Sequence, residues 1–376
     1  MTATTPRPLG GAHTGASHPK RVSLLRLRDG AAAVAGALAT PLVPADYLDL
    51  IKPMRSGADL RGRIVSITAE TADAATITIR PGRGWRPHVP GQYIRLGIDI
   101  DGVRHWRAYS LTSPVTGGGG DALITITTKA IPDGLVSHHL VHSARPGAMV
   151  MLDQATGEFT LPPTAPEKIF FLTAGSGVTP VMGILRNRLS TLKDVIHLHV
   201  APTSDAVIFA DELRSYAGNY TLIERHDDTH GILDLADVGT LVPDWRERQA
   251  WVCGPTSLLD AAETLWDENG LGESLHVERF RPSIIEAGEG GTITFLGSGV
   301  DVDADGSTPI LDAGESAGVL MPSGCRMGIC FGCVVTMREG SVRDLRTGEL
   351  TVAEDGDPAT IQTCINAAAG QCQLDL

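Results

Sequence analysis

The chain has 376 residues, 42% hydrophobic and 20% charged, which is ample material for packed cores and too long for a single one. Its net charge of −13 argues against nucleic acid or an anionic membrane as a partner. Six cysteines in a chain of this length do not make a disulfide scaffold, and reduced thiols fit a cytoplasmic setting.

Residues 1–57 read as a tail and a preface. The first eighteen are polar and rich in Gly and Pro, the composition of a disordered segment. Helical stretches broken by Pro41, Pro44 and Pro53 follow. The run AAAVAGALA (31–39) stands behind Arg26, Arg28 and Asp29. Nine such residues cannot span a bilayer, so the run reads as a packing helix, with peripheral membrane contact as the alternative.

From Leu60 the pattern alternates with period two in RIVSITAE, ATITIRP, YIRLGID and ALITITTK. Turn residues separate these runs, so residues 58–163 are predicted to form an antiparallel β-barrel or sandwich. Three motifs within it suit a flavin: PGQY ending at Tyr93, Arg107-Ala-Tyr109-Ser110, and Gly134-Leu-Val136-Ser137. Arg107 offers a planar fork to a phosphate, and Tyr109 a face for the ring system. Ser110 can hydrogen-bond the flavin N5 or O4 edge. The Gly134–Ser137 turn can present backbone N–H groups to a pyrophosphate at a helix start. R-A-Y-S alone describes any strand with an exposed Arg; the three motifs together point to a flavin.

Residues 164–282 alternate strand and helix: KIFFLT, then VMGILRNRL, VIHLHV, AWVCGP, TSLLDAAETLW and SLHVERF. That order predicts a parallel, doubly wound α/β sheet. The turn Gly175-Ser-Gly177-Val-Thr179-Pro180 follows a strand and opens a helix, where glycines let backbone approach a pyrophosphate. Pro180 suits the first helical position and replaces the third glycine of the usual dinucleotide fingerprint. Cys253-Gly254-Pro255, on a later strand-to-helix turn, supplies a second wall near the nicotinamide; the alternative for Cys253 is a small buried hydrophobe. Phe280 either approaches the flavin or packs at a domain seam.

Residues 283–290 have linker character, and the strand-like TITFL opens a last segment, 291–376. Cys325, Cys330 and Cys333 stand at C-x4-C-x2-C spacing and Cys364 follows thirty residues later. Four thiolates so spaced suit a plant-type [2Fe–2S] cluster, and Gly324, Gly328 and Gly332 let backbone N–H groups close around its sulfides. Zinc is the rival, but structural zinc prefers paired knuckles over one long return. Arg326 either offsets the cluster's charge or is a surface cation, and Cys372 reads as structural. Twelve acidic against four basic side chains leave this segment at −8, either a face that steers a basic partner or a solubilising surface.

Together these motifs resemble the ferredoxin–NAD(P)+ reductase superfamily, in the arrangement with a C-terminal plant-type ferredoxin domain, from about Leu60 to the end. The resemblance implies a β-grasp ferredoxin fold, FAD rather than FMN, and a partner metalloenzyme such as an oxygenase, a hydroxylase or a diiron desaturase. The preface and GCRMGICFGC resemble actinobacterial reductases that serve fatty acyl-CoA desaturases. Such reductases often carry an Arg after the second nucleotide-domain strand, where this chain has Val200-Ala-Pro202-Thr-Ser204. Ser204, Arg225 and His226 can still meet a 2′-phosphate, so NADPH and NADH both stay open. The expected path runs from NAD(P)H to flavin to cluster to acceptor, with Tyr109, Ser110 and Cys253 nearest the hydride. Two alternatives are a self-contained flavoreductase acting on a small molecule or quinone, and a redox-sensing module that does not turn over.

Overall fold

The computed structural model describes residues 54–55, 59–119, 121–131, 134–280, 288–324, 326, 328, 331–354 and 356–376. The expected tail and most of the preface, including 31–39, lie outside the described residues, as do Cys325 and Cys330.

Six strands form the first sheet: β1 (Arg61–Ala69), β2 (Ala74–Pro81), β3 (Tyr93–Ile100), β4 (Val103–Ser110), β5 (Ile124–Lys129) and β6 (Met149–Leu152). Their order is β4-β3-β6-β1-β2-β5, with antiparallel neighbours. Just beyond β4, Leu111 bridges Ile126 of β5 and the Thr112 N–H donates to the Thr125 carbonyl at 2.8 Å. The sheet thus closes on itself, and alternate residues such as Ile64, Ile77, Ile94 and Leu96 fill the inside. The one-turn helix α1 (Leu135–His138) follows β5.

The second sheet is parallel throughout. It comprises β7 (Lys168–Ala174), β8 (Asp194–Ala201), β9 (Tyr220–His226), β10 (Gln249–Cys253) and β11 (Leu275–Glu278), in the order β11-β10-β7-β8-β9. The helices α2 (Val178–Arg188), α3 (Ala210–Ser215) and α4 (Thr256–Glu268) accompany it. The apolar run of β7 shows why: Ile169 and Phe171 enter one core, Phe170 and Leu172 the other. A strand buried on both faces reads as a continuous hydrophobic run.

The third sheet is mixed. β12 (Gly288–Phe295) pairs parallel with β17 (Asn366–Leu374) and antiparallel with β13 (Val300–Gly306). β14 (Val334–Asp344) pairs with β17, β15 (Leu350–Ala353) and β16 (Ala359–Gln362). Helix α5 (Ile310–Ser316) packs Ile310 and Leu311 into its core, where Cys372 is also buried. Strand β12 starts at Gly288, inside the stretch expected as a linker, because Gly288 and Gly291 already pair with β13.

Candidate functional site

Strands β3 and β4 pair so that Tyr93 faces Ser110, Ile94 faces Tyr109 and Leu96 faces Arg107. Alternation puts Arg107 and Tyr109 on one face, and Ser110 with Tyr93 on the other. Tyr109 packs on the barrel core beside Thr128; burial pushes its phenol up to about 12, so it stays protonated. Burial, reinforced by the charge of Arg326, lowers the Arg107 guanidinium to about 10, still a cation at neutral pH. Arg107 Nη1 donates to the Trp106 carbonyl at 2.8 Å. A desolvated cation held by a neutral carbonyl fits a flavin phosphate. At α1, Ser137 Oγ donates to the Gly134 carbonyl at 2.9 Å and accepts from the Ile131 N–H at 3.3 Å, so the turn is closed by its own serine. Val136 is in the barrel core, and the Ile131, Gly134 and His138 N–H groups are already bonded within the turn.

The nucleotide turn leaves β7 as a single 3₁₀ turn, Gly175–Gly177, before α2. Pro180 is therefore the third helical residue and not the first, a position still within the turn whose N–H groups lack helical partners. Thr179 Oγ1 donates to the Ser176 carbonyl at 2.9 Å and pins the turn. Gly177 is packed so closely that a Cβ there would lie 2.0 Å from the Cys253 carbonyl oxygen. The two strand-to-helix turns, Gly175–Pro180 and Cys253-Gly254-Pro255, thus touch through backbone. A Cβ on Gly254 would lie 3.1 Å from the Ala174 Cβ, a looser approach, and Pro255 caps α4.

One register row crosses the sheet near its carboxyl end: Glu278, Cys253, Thr173, His199 and Glu224. In-register neighbours of a parallel ladder share a face. Cys253 is fully buried and burial pushes its thiol far up, so it is a neutral wall rather than a nucleophile. Desolvation raises the Glu278 carboxyl to about 7, poised to hold or release a proton at neutral pH. The sequence reading missed Glu278; its one signal was the ERF ending. Phe280, two residues on, is 36% exposed, which is not the burial expected of seam packing. Thr173 Oγ1 lies 2.7 Å from both His197 Nε2 and His199 Nδ1, and His197 Nδ1 lies 2.7 Å from the Tyr220 hydroxyl. Complete burial keeps both imidazoles neutral.

At the ends of β8 and β9, Ser204 and His226 are linked through Arg214 and Glu224, while Arg225 alternates to the other face of β9. Arg214 chelates Glu224 at 2.8 and 2.7 Å and reaches Ser204 Oγ at 3.2 Å. Arg225 Nη2 donates to the His230 carbonyl at 3.0 Å, while its buried Nε has no partner among the described residues. That orphaned donor suits an anion.

Helix α2 also carries the seam with the barrel. Arg186 chelates Glu212 of α3 and donates to the Thr112 carbonyl at 2.7 Å. Asn187 accepts from the Val115 N–H at 2.8 Å and donates to the Ser113 carbonyl at 3.1 Å. A Cβ on Gly183 would meet the Leu111 carbonyl oxygen at 2.2 Å. The helix that opens at the nucleotide turn therefore grips the chain directly after R-A-Y-S.

Of the four cysteines expected to hold the cluster, Cys333 and Cys364 are described, buried, with Sγ atoms 3.1 Å apart. Hydrogen bonding from Cys364, aided by Thr363, holds the Cys333 thiol below its ordinary value, toward the thiolate a metal needs. Thr363 donates to the Cys333 carbonyl through N–H at 3.1 Å and Oγ1 at 3.0 Å, and Gln362 Nε2 donates to the Gly328 carbonyl at 3.1 Å. Arg326 pairs with Asp312 at 2.6 Å and with Glu315, both on α5. It is thus neutralised by carboxylates, more than a surface cation.

Residues 87–161 match the family described as an oxidoreductase FAD-binding domain, and residues 293–368 the one described as a 2Fe-2S iron-sulfur cluster binding domain. The chain is 48% identical over 351 residues to the NADPH oxidoreductase of Mycobacterium tuberculosis, covering 91% of this chain and 91% of that one. It belongs to the FAD- and [2Fe–2S]-containing ferredoxin–NAD(P)+ reductase superfamily. A glycine betaine monooxygenase reductase subunit of Chromohalobacter salexigens is 27% identical over 311 residues, 73% of this chain and 84% of that one. In fold, the chain is similar to phthalate dioxygenase reductase, with a TM-score of 0.59 at 22% identity over 84% of this chain and 97% of that one. This member of the superfamily uses FAD, a [2Fe–2S] cluster and NAD(P)H, and is an oxidoreductase. Among the described residues no helix is long and apolar enough to cross a membrane.

Proposed function

We propose that the protein draws electrons from NADPH and passes them singly to a partner metalloenzyme of the oxygenase, hydroxylase or diiron desaturase kind. When bound, FAD would supply hydride acceptance from the nicotinamide, and the [2Fe–2S] cluster would supply one-electron transfer. The protein's own residues bind, orient and tune. Arg107 neutralises flavin phosphate, Tyr109 offers a protonated aromatic face, and the abutting turns at Gly177 and Cys253 hold the nucleotide in place. Glu278 can hold a proton beside the neutral Cys253.

The observation that carries the reading is the buried Cys333–Cys364 pair, with Sγ atoms 3.1 Å apart, in a chain whose two nucleotide-domain turns abut through backbone at Gly177 and Cys253. Cys333 and Cys364, with Cys325 and Cys330, would hold the cluster that hands on single electrons. The monooxygenase reductase relative supports an oxygenase-type acceptor. The buried, unpartnered Arg225 Nε and the NADPH oxidoreductase relative support NADPH.

Rapid-mixing reduction with NADPH and NADH in parallel, following flavin and cluster absorbance separately, tests this. NADPH should be preferred, and Arg225→Ala should lower kcat/KM for NADPH by roughly 10- to 100-fold while NADH is spared. Equal use of both nucleotides by the wild type would sink the NADPH assignment. Full-rate turnover of a quinone by Cys364→Ser protein would favour the self-contained flavoreductase instead.

A further inference from the structure

Two of the four non-glycine residues with positive φ among the described residues fall on the cysteine loop: Arg326 at 61° and Phe331 at 55°. Left-handed backbone is disfavoured for side chains with a Cβ, and bulky residues are rare there. For Arg326 the compensation is visible, since the turn aims its guanidinium at Asp312 and Glu315. Phe331 has no comparable compensation among the described residues. It stands between Cys330 and Cys333, is 67% exposed, and makes no ring stacking or cation–π contact among the described residues. Leu320, five residues before Cys325, is 77% exposed. Arg326 turns toward Asp312 and Glu315 of α5, and Phe331 toward water.

Charge narrows what covers the outward side. Residues 290–376 carry twelve carboxylates, four arginines and no lysine. Arg326 is paired with Asp312 and Glu315, Arg338 with Asp375, and Arg346 with Asp344. The segment facing a partner is thus strongly negative with an exposed aromatic beside the cluster ligands. Apolar anchors ringed by charge are how interfaces combine affinity with fast encounter.

We infer that Phe331 is the docking anchor of the electron exit, and that it inserts into an apolar recess ringed by basic residues on the acceptor protein. This rests on the reading of the protein as a donor to a protein acceptor. The aromatic is held in unfavourable backbone because it serves the complex and not the fold.

The test uses full-length protein with assembled cluster, NADPH as donor, and cytochrome c as a basic protein acceptor beside ferricyanide as a small one. Phe331→Gly should raise KM for cytochrome c about tenfold, the usual scale for losing a buried aromatic anchor. Cytochrome c kcat, ferricyanide rates and cluster absorbance should hold, because the cluster ligands are untouched. Thermal stability should hold or rise, since glycine accepts the left-handed backbone. Phe331→Leu should keep most of the affinity, and added salt should weaken wild type and variants in parallel. An unchanged KM in Phe331→Gly overturns the anchor while leaving the electron-donor reading intact. If wild-type protein reduces ferricyanide but not cytochrome c at any salt concentration, the donor reading fails and the anchor with it.

Discussion

Replacing Gly177 with Ala tests whether contact between the two nucleotide-domain turns sets the hydride geometry. The new Cβ would lie 2.0 Å from the Cys253 oxygen, 2.5 Å from its carbonyl carbon and 2.8 Å from the Gly254 nitrogen. Ordinary contact begins near 3.4 Å, so the turns must part by about 1.4 Å. All three atoms are backbone, at the end of a strand laddered to β7 from Gln249–Ile169 to Cys253–Thr173, so no side-chain rotation relieves the overlap. The φ of Gly177 is −60°, which suits alanine, and propensity alone would favour the variant by about 0.5–1 kcal/mol. Overpacking of this kind instead costs about 1–3 kcal/mol, and a shift near 1 Å at reacting centres can slow chemistry by about 100-fold. Rapid mixing with NADPH should show flavin reduction slowed by roughly 10- to 100-fold, with FAD content unchanged because the barrel is not touched. Gly175→Ala is the control: its φ is +53°, yet a Cβ there meets nothing within 4 Å, so strain without collision should have the smaller effect. Wild-type reduction rates in Gly177→Ala would refute the idea that this contact positions the nucleotide.

Cys364→Ser should abolish cluster absorbance and spare NADPH-to-ferricyanide activity; loss of both would show that the flavin and cluster regions do not work independently. Asn187→Ala strands the Val115 N–H and the Ser113 carbonyl, and should lower stability by about 2 kcal/mol in a denaturant titration. No change in midpoint would mean that this side chain does not hold the seam. Burial holds His199 near a pKa of about 4 and His197 well below the ordinary imidazole value, so the unfolded chain binds more protons than the native one below pH 6.5. Their contribution is fully present above pH 6.5 and is lost as pH falls toward 4, about 3 kcal/mol for His199 alone. Glu278, raised to about 7, acts oppositely: its contribution is present at acid pH and lost as pH rises through 7. The histidine slope should therefore be measured in Glu278→Gln, where a flat stability profile between pH 6.5 and 4.5 would contradict neutral buried imidazoles.

Much was legible in the chain before its shape was known. RIVSITAE and KIFFLT announced a barrel strand and a doubly buried strand, because side-chain periodicity follows directly from which faces are covered. Strand β9 escaped notice: TLIERH carries charges and is only half-buried, as an edge strand can be. Strand β6 is four residues, too short for periodicity to register. The motif residues were equally readable, since R-A-Y-S, G-S-G-V-T-P and C-x4-C-x2-C each confine their chemistry to neighbouring positions.

What the linear chain determined by itself is local: which short segments can cradle a phosphate, meet a flavin or ligate iron, because spacing along a backbone of fixed bond lengths limits what neighbouring side chains can reach. The tertiary structure alone decided how those segments meet. Gly177 lies against Cys253 and Glu278 beside it, Arg186 and Asn187 grip the exit of R-A-Y-S, and Arg326 turns inward while Phe331 turns out. Each of these joins or separates residues through packing and solvent exposure, which come into existence only when distant strands close into sheets.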